Sequence, residues 1–358
     1  MRLAPGSTIG IIGGGQLGRM LSMAAAQLGC KCHIYAPDET PPAVEVAAGF
    51  TRGAFDDAEA LARFAADVDV VTYEFENIPA EALGAIAAQA PLFPPVRSLE
   101  IAQDRLVEKE FVVSQGGRPA PYARVDSRAD LDAALAALGT PAILKTRRLG
   151  YDGKGQARID DPVGGDAAWE AVRGAPSVLE GFVAFDAEFS ILLCRVADGE
   201  TVVWDAPRNI HTNGILDRSM VPAGAALGPA IAKAETLSRA IADALGHVGM
   251  LAIEFFAVGE EAVCNEMAPR VHNSGHWTIE GAATSQFENH IRAICGLPLG
   301  ATGLRAGQVE MTNLIGRDVE AWPGLLAEPG AHLHLYGKKH PRPGRKMGHV
   351  TRLSGWAD

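Results

Sequence analysis

Short apolar runs alternate with helically spaced apolar residues over the first hundred positions of the chain. Residues 8–12 form one run, residues 31–35 a second and residues 68–73 a third. Between these runs, residues 16–28 and 57–66 carry apolar side chains three or four positions apart, as one face of an α-helix does. The pattern predicts alternating strands and helices, and therefore a sheet domain of the βαβ type.

The pattern changes after the prolines Pro91, Pro94 and Pro95. Residues 98–114 have helical spacing and are predicted to form one helix that leads into the next domain. Strands of alternating pattern follow, together with a helix that starts at Pro229, a residue suited to the first helical position. This mixture predicts an α+β region. The helix is predicted at residues 229–245, and the strands at residues 142–145, 177–180, 188–195, 201–204, 249–257 and 261–267.

These changes predict a multidomain protein of α/β and α+β class. Beyond Pro298 the chain consists of short predicted strands and turns, which favours a small β-rich C-terminal domain. The predicted domains are residues 1–104, residues 105–297 with a lid lobe at about 118–183, and residues 298–358.

Composition and charge narrow the classes of partner. The 358 residues are 47% hydrophobic, and a formal net charge of -11 disfavours broad contact with a nucleic acid backbone. No apolar stretch approaches the roughly 20 residues that span a bilayer, and Met1 leads into an apolar strand without a signal-type segment. We expect a cytoplasmic protein without nucleic acid or membrane partners, whose scattered cysteines are reduced.

The first candidate for chemistry is the glycine turn after the first predicted strand. Gly13, Gly15 and Gly18 have the spacing of a dinucleotide-binding turn and open a helix, with Asp38 and Glu39 further along the chain. One interpretation is therefore an NAD-dependent dehydrogenase. The other is a tight turn in a Rossmann-like domain that binds no nucleotide there, because Asp38 lies in a proline-flanked loop beyond the strand.

A second glycine-rich segment combines backbone freedom with positive charge. Lys145 ends a predicted strand, and residues 150–156 read Gly-Tyr-Asp-Gly-Lys-Gly-Gln. Such a loop can fold backbone N–H groups and cations onto a polyphosphate and open again. It differs from a Walker loop because no Ser or Thr follows its lysine. The sequence predicts a lid over phosphates, and a solvated basic hairpin is the alternative.

The third candidate is a pair of glutamates on neighbouring strands. Glu254 stands between apolar residues of a strand predicted to be buried, and Glu266 has a similar setting on the next strand. A hairpin would bring the two together, and close carboxylates repel each other unless a proton or a cation lies between them. Oxygen ligands suit Mg²⁺ bound to nucleotide phosphates. The alternative is one exposed and one salt-bridged glutamate.

Polar residues crowd the segment 265–277, which reads Asn-Glu-Met-Ala-Pro-Arg-Val-His-Asn-Ser-Gly-His-Trp. Few structural roles require so many different polar side chains in one turn-rich segment, which indicates an active-site loop. Near the C-terminus, a cationic turn predicts either a phosphate-monoester site or a solvated basic face. Its cations are Lys338, Lys339, His340, Arg342, Arg345 and Lys346.

Taken together, these motifs resemble the ATP-grasp superfamily, and within it the 5-(carboxyamino)imidazole ribonucleotide synthetase family of purine biosynthesis. The matching segments are residues 13–20, 150–156, 265–277 and 343–349, in that order. The resemblance covers essentially the whole chain. It implies a Rossmann-like pre-ATP-grasp domain, an ATP-grasp fold that holds the nucleotide between two α+β parts, and a small C-terminal domain. It also suggests a homodimer.

The resemblance implies roles for individual residues. Glu254 and Glu266 would hold Mg²⁺, Arg270 and Lys346 would bind the reaction intermediate or its phosphate, and His272 would orient or deprotonate the attacking amine. The residues implied to bind ATP are Arg105, Lys145, Gly150, Tyr151, Asp152, Gly153, Lys154, Gly155, Gln156, Glu180, Gly181, Phe182, Val183, Glu188, His211, Asn265 and Glu266. Those implied to bind the ribonucleotide are Tyr151, Asp152, Arg270, His272, Asn273, Ser274, Lys338, Arg345 and Lys346.

The implied reaction is the ATP-dependent carboxylation of 5-aminoimidazole ribonucleotide by bicarbonate through carboxyphosphate, with release of ADP and phosphate. Two positions depart from related ligases: Ala268 stands where many have an asparagine, so no third protein ligand can be named, and Arg105 stands where many have lysine. Two alternatives stay open. One is the formate-dependent glycinamide ribonucleotide transformylase of the same superfamily, and the other is the dehydrogenase.

Overall fold

The computed structural model describes residues 2–150 and 155–355. Its N-terminal part is a parallel sheet of four strands in the order β3-β2-β1-β4, with helices on both faces. The predicted βαβ arrangement is confirmed, and β3 is an additional short strand. The elements are β1 (Thr8–Ile12), α1 (Gln16–Gln27), β2 (Lys31–Ala36), β3 (Gly49–Arg52), α2 (Ala58–Ala66), β4 (Val70–Tyr73), α3 (Ala80–Ala87) and α4 (Val96–Ala102).

The central strand of this sheet is buried from both sides. Ile9 and Ile11 pack with α1 in one apolar cluster, whereas Ile12 packs with Phe64 and Leu83 in another. A strand covered on both faces reads as an unbroken apolar run, which is why the sequence pattern identified it.

The single helix predicted over residues 98–114 is wrong, because the structure has two helices there. The helix α4 ends at Ala102, and α5 (Arg105–Ser114) begins after Asp104. Asp104 has an extended backbone, and its carboxylate accepts hydrogen bonds from the N–H groups of Leu106 and Val107. An aspartate cap of this kind starts a new helix, and helical spacing alone did not reveal it.

A smaller antiparallel sheet lies within residues 118–183, the region predicted to be a lid lobe. Its strand order is β5-β8-β6-β7, and two helices cover one face. The strands β6 and β7 flank the second glycine-rich segment. The elements are β5 (Tyr122–Val125), α6 (Arg128–Leu138), β6 (Ala142–Thr146), β7 (Gln156–Ile159), α7 (Gly165–Ala171) and β8 (Ser177–Gly181).

A nine-stranded sheet forms the largest part of the molecule, in the order β14-β13-β9-β11-β12-β15-β17-β16, with β10 paired to β9. The C-terminal strands β15 to β17 extend this sheet instead of forming one of their own, which the sequence pattern did not predict. The strands and helices are β9 (Ala187–Arg195), β10 (Thr201–Val203), β11 (Arg208–Thr212), β12 (Ile215–Val221), α8 (Gly228–Leu245), β13 (Gly249–Val258), β14 (Glu261–Ala268), α9 (Thr278–Gly281), α10 (Gln286–Ile294), β15 (Gln308–Ile315), α11 (Trp322–Ala327), β16 (Ala331–Leu335) and β17 (Lys346–Ser354).

Two bulk expectations can be compared with the structure. Each of the five cysteines is buried and free of a disulfide, and their reduced state stays a prediction from their scattered positions. Within residues 2–150 and 155–355, no helix is long and apolar enough to cross a membrane.

Candidate active site

The two glutamates predicted to bind metal face each other across the hairpin of β13 and β14. Glu254 and Glu266 are direct register partners, and a β-bulge follows at Phe255. Burial, and then the charge of Glu266, raises the pKa of Glu254. Burial would also raise the pKa of Glu266, but Arg105 and Lys145 outweigh it and lower that pKa. The predicted meeting of the two carboxylates is therefore confirmed.

This carboxylate pair fits a divalent cation. A cation between the two side chains would remove the repulsion that raises the pKa of Glu254. The described part of the chain contains no group of three or more His, Cys, Asp or Glu side chains suited to a metal. Two protein carboxylates with further oxygen ligands from phosphate are an arrangement typical of Mg²⁺.

The first turns of α5 contact β14 at Glu266 and at the next residue. Nη1 of Arg105 lies 2.9 Å from Oε2 of Glu266. Glu108, one turn further on, accepts a hydrogen bond of 2.6 Å from the backbone N–H of Met267. Burial raises the pKa of Glu108 to about 8. Sequence reasoning missed Glu108, because its partner lies on a strand that is distant in the sequence.

A buried triad of charges lies beside this contact. Glu180 on β8 receives Nζ of Lys145 at 2.8 Å and Nζ of Lys109 at 3.0 Å. Burial opposes ionisation of Glu180, but the two lysines outweigh it and lower its pKa to about 2. Lys109 was not predicted to take part. The triad brings Lys145 and Glu180, both predicted to bind ATP, together in the same wall of the site.

The strands β6 and β7 hold the ends of the predicted phosphate lid. Gln156 is the register partner of Lys145, and the carbonyl of Gly155 accepts the N–H of Thr146 at 2.8 Å. Gly155 has a φ of +69°, and a Cβ there would lie 2.6 Å from Oγ1 of Thr146, so this turn requires glycine. Gly150 precedes the loop. Tyr151, Asp152, Gly153 and Lys154 lie outside the described residues.

Residues 180–183, which the family resemblance implies contact the adenine, begin in the last part of β8 and continue beyond it. The N–H of Gly181 donates to the carbonyl of Pro121 at 2.8 Å, and the N–H of Phe182 donates to the carbonyl of Pro141 at 3.1 Å. These two donors are therefore engaged within the protein. A hinge contact with adenine would use the other backbone groups of the run, which continues to Val183.

The nine-stranded sheet carries Glu188, which the family resemblance implies binds the ribose, and His211 and Asn265, which it implies bind the nucleotide. Glu188 on β9 hydrogen-bonds Nδ1 of His211 on the neighbouring strand β11. Burial would lower the pKa of His211, but its bond to Glu188 and the charge of Glu254 raise it. On β14, Oδ1 of Asn265 is buried and has no hydrogen-bond partner among the described residues. An unsatisfied amide oxygen in this sheet fits contact with a ligand.

Beyond β14, residues 270–277 form a turn that we call the acceptor loop. Nε2 of His272 lies 3.7 Å from Oε1 of Glu254, which joins the loop to the glutamate pair. Nδ1 of His272 accepts the N–H of Ser274 at 3.3 Å and lies 2.8 Å from its hydroxyl oxygen. Burial, together with Arg270 and Lys346, lowers the pKa of His272 well below its usual value. The ring is therefore neutral and carries its hydrogen on Nε2.

The side chains of Arg270 and Asn273 are held by residues of other strands. Nε of Arg270 lies 2.9 Å from Oε1 of Glu76, just after β4. The amides of Asn273 and Asn313 form a reciprocal pair at 2.9 and 2.8 Å, and Ser274 is fully buried. In this structure Asn273 and Ser274 therefore fix the shape of the loop. Glu76 was missed, although residues at the carboxyl end of a parallel strand are a recognised position for site residues.

The basic C-terminal turn reaches the same site from β17. Lys346 is the first residue of that strand, and its charge contributes to lowering the pKa of His272. Nζ of Lys338 donates to the carbonyl of Lys346 at 2.7 Å, and Nη1 of Arg345 donates to the carbonyl of His340 at 2.8 Å. The structure thus brings the predicted catalytic residues Arg270, His272 and Lys346 together.

The glycine turn after β1 is filled by a side chain of the protein. The carboxylate of Glu74, which follows β4, accepts the N–H groups of Gly15, Leu17 and Gly18 at the start of α1. A Cβ at Gly13 would lie 2.4 Å from Cγ of Glu74. Because Glu74 occupies the position at which a dinucleotide phosphate would bind, the structure argues against the dehydrogenase interpretation.

Comparison with known proteins identifies each part of this arrangement. A ribonucleotide synthetase preATP-grasp domain matches residues 6–103, an ATP-grasp domain matches residues 110–287, and a phosphoribosylaminoimidazole carboxylase C-terminal domain matches residues 310–356. The N5-carboxyaminoimidazole ribonucleotide synthase of Brucella melitensis is 51% identical over 98% of this chain and 97% of its own. The chain belongs to the N5-carboxyaminoimidazole ribonucleotide synthase family.

Solved structures of this family have the same fold. The N5-carboxyaminoimidazole synthetase of Staphylococcus aureus with ADP matches with a TM-score of 0.93 and 36% identity, over 98% of this chain and 94% of its own. The enzyme of Aspergillus clavatus in complex with ADP and 5-aminoimidazole ribonucleotide matches with a TM-score of 0.91 and 30% identity, over 98% and 95%. The predicted family and three-part fold are confirmed, while the exact domain boundaries stay predictions.

Proposed function

We propose that this chain is an ATP-dependent carbon–nitrogen ligase that carboxylates 5-aminoimidazole ribonucleotide with bicarbonate in purine biosynthesis, releasing ADP and phosphate. The observation that carries the proposal is the contact between the glutamate pair and the acceptor loop, with Nε2 of His272 3.7 Å from Oε1 of Glu254. The proposed site of phosphoryl transfer therefore lies next to the proposed site of the acceptor ribonucleotide. The membership of the chain in the synthase family supports the same reaction.

The first step activates bicarbonate, whose hydroxide is a poor leaving group. A bicarbonate oxygen attacks the γ-phosphorus of ATP, the bond to the β-phosphate oxygen breaks, and ADP leaves. Arg105 and Lys145 line the wall where this negative charge develops. Fixed cations at such a position stabilise phosphoryl transfer. Mg²⁺, held by Glu254 and Glu266 together with phosphate oxygens, would supply further neutralisation of phosphate charge when bound.

The second step transfers the carboxyl group. Carboxyphosphate loses phosphate to give carbon dioxide, the exocyclic amine of the ribonucleotide forms the new C–N bond with its carbon, and the nitrogen loses a proton to the released phosphate. Arg270 and Lys346 would hold the phosphate or carboxylate formed here, because the charges of both act on His272 of the acceptor loop. Exclusion of water would protect the reactive intermediate.

His272 would orient a reactant by donating a hydrogen bond. Its Nδ1 accepts the N–H of Ser274, which leaves the hydrogen of the neutral ring on Nε2, and Nε2 faces Glu254. A ring in this state is a donor at Nε2 and is poorly suited to remove a proton there. Of the two roles that the family resemblance left open for His272, orientation is the one we propose.

Assembly and location are further proposals. A homodimer and a cytoplasmic location, with bicarbonate and 5-aminoimidazole ribonucleotide as substrates and no nucleic acid or membrane partner, stay predictions from the sequence. The formate-dependent transformylase shares the acceptor-loop motif, but the C-terminal part of this chain matches the carboxylase-type domain.

Isotope incorporation tests the proposed reaction. Purified protein with ATP, Mg²⁺, 5-aminoimidazole ribonucleotide and labelled bicarbonate should form an acid-labile carbamate that contains the label. Labelled formate with glycinamide ribonucleotide should give no product. Formylation of glycinamide ribonucleotide without carboxylation would assign the chain to the other reaction.

A further inference from the structure

Five buried polar atoms belong to residues of the acceptor loop, α9 and β17, and α9 packs against β17. Among the residues that the structure describes, none of the five has a hydrogen-bond partner. Burying an unpaired polar atom is unfavourable by about 1–3 kcal/mol, so a concentration of them at one contact needs an explanation. The atoms are Nε2 of His276, Nε1 of Trp277, Oε2 of Glu280, Nε2 of His349 and Oγ1 of Thr351.

Two histidines form the centre of this contact. The rings of His276 and His349 have centroids 5.1 Å apart, and both side chains are fully buried. His349 also stacks against His334, with ring centroids 4.5 Å apart, and Nδ1 of His349 bonds the hydroxyl of Tyr336 at 2.8 Å. His334 in turn bonds Oε1 of Glu280 at 2.6 Å. Polar side chains from α9, β16 and β17 therefore meet in this contact.

The neighbouring glutamine defines the hydrogen position on His276. Oε1 of Gln286 accepts the N–H of His272 at 2.9 Å, so its Nε2 is the end that faces the carbonyl of His272 at 2.7 Å and Nδ1 of His276 at 3.1 Å. Nδ1 of His276 is thus an acceptor, and the neutral ring carries its hydrogen on Nε2. That N–H group points into the contact without a protein partner among the described residues.

We infer that ordered water fills this contact, and that the hydrated pair His276–His349 positions Lys346 against the acceptor loop. A buried water molecule makes about three hydrogen bonds to polar groups that are otherwise unsatisfied. Donors and acceptors are both present, since the carboxylate oxygen of Glu280 can only accept and the indole N–H of Trp277 can only donate.

The positioning role follows from the chain of contacts. Lys346 lies three residues before His349 on β17, His349 packs on His276, and Gln286 joins His276 to His272. Displacement of β17 would therefore change the distance between Lys346 and the residues of the acceptor loop. His276 and His349 are positioning residues in this account, which rests on the proposed function for its kinetic readout.

A crystal structure and three variants test the inference. The crystal structure should contain water bonded to Nε2 of His276 and Nε2 of His349. His349→Phe keeps the ring shape and removes both nitrogens, whereas His349→Gln keeps polar atoms. The control is His247→Phe, because His247 is also fully buried, but its ring nitrogens are bonded to Ser98 at 3.0 Å and Met250 at 2.9 Å.

We expect His349→Phe to lower kcat/KM for the ribonucleotide by about 10- to 100-fold, as small displacements of catalytic groups do, with the KM for ATP changed by less than about twofold. His349→Gln should recover most of this loss. His247→Phe should lower the melting temperature without this selective kinetic change.

Two results would overturn the inference. One is a dry contact in which these polar atoms pair directly with protein. The other is a His349→Phe protein that, like the control, loses only thermal stability. Failure of the wild-type protein to carboxylate the ribonucleotide would instead reject the proposed function, and the water positions can be read from the crystal structure in either case.

Discussion

Nε2 of His272 lies 3.7 Å from Oε1 of Glu254, whereas Arg105 contacts Glu266, the other glutamate of the pair. This contact joins the phosphate side of the site to the acceptor side. Glu266 is bound by Arg105, while four residues further along the chain Arg270 is bound by Glu76 of the N-terminal domain. The end of β14 is therefore where the two parts of the reaction meet.

The first prediction concerns Glu254 and Glu266, the glutamate pair proposed to bind Mg²⁺. Glu254→Gln and Glu266→Gln should each lower ATP turnover by about 100-fold or more, because a neutral amide cannot replace a charged ligand near transferring phosphate. Steady-state ADP release over a Mg²⁺ titration measures this. Glu261→Gln is the matched control, since Glu261 lies on the same strand but is exposed and pairs with Lys233. Equal activity of all three variants would remove the pair from the mechanism.

The tautomer of His272 makes the second prediction. His272→Gln retains a donor at nearly the same reach and should keep more activity than His272→Ala, which we expect to lose about 100-fold in kcat. The KM for ATP should change little in both. Rates of carboxylation at saturating ATP measure the difference. If the glutamine variant is as inactive as the alanine variant, the ring acts as a base and not as a donor.

The third prediction concerns Glu74, whose carboxylate fills the glycine turn after β1. Glu74→Ala leaves the N–H groups of Gly15, Leu17 and Gly18 without their acceptor, and should lower the free energy of unfolding by roughly 2–4 kcal/mol. Chemical denaturation measures this change. Asp38→Ala removes an exposed side chain and should alter neither stability nor activity. Stabilisation of the wild-type protein by NAD in a thermal-shift experiment would contradict this view of the turn.

A buried histidine makes the fourth prediction, on pH dependence. Burial lowers the pKa of His247 to about 4 in the folded protein, against about 6.5 for an exposed histidine. The unfolded chain therefore binds more protons than the folded protein between these pH values. The contribution of His247 to the free energy of unfolding is fully present above pH 6.5 and is lost as the pH falls toward 4. Across this range the free energy of unfolding should fall by about 1.4 kcal/mol for each unit by which the pH is lowered.

Comparison with a variant separates the pH dependence caused by His247 from that caused by other titrating groups. Glu108 has a raised pKa of about 8 and acts in the opposite direction over part of this range. The free energy of unfolding of the wild type should therefore be compared with that of His247→Gln from pH 7 to pH 4. The difference should shrink as the pH falls, and a constant difference would contradict the lowered pKa.

Much of the fold followed from local patterns. An apolar run identified β1, which is buried on two faces, alternating spacing identified β13, and the length of the hairpin placed Glu254 opposite Glu266. The break between α4 and α5 was missed because it depends on one capping side chain, Asp104. Helical spacing does not change at such a cap.

Long-range contacts could not be read from the sequence. Glu74 and Glu76 enter the account only because β4 ends beside the turn of α1 and beside Arg270. Lys109 and Glu108 are similar cases, since each meets a partner on a distant strand. The addition of the C-terminal strands to the central sheet is equally non-local. Family resemblance supplied roles for motif residues, but not these neighbours that hold them.

The most direct test of the central claim is acceptor-dependent ATP hydrolysis by the purified protein. We predict that 5-aminoimidazole ribonucleotide with bicarbonate strongly increases the release of ADP, with one bicarbonate carbon fixed for each ADP formed. Stimulation by glycinamide ribonucleotide and formate instead, or hydrolysis that does not respond to either acceptor, would contradict the claim.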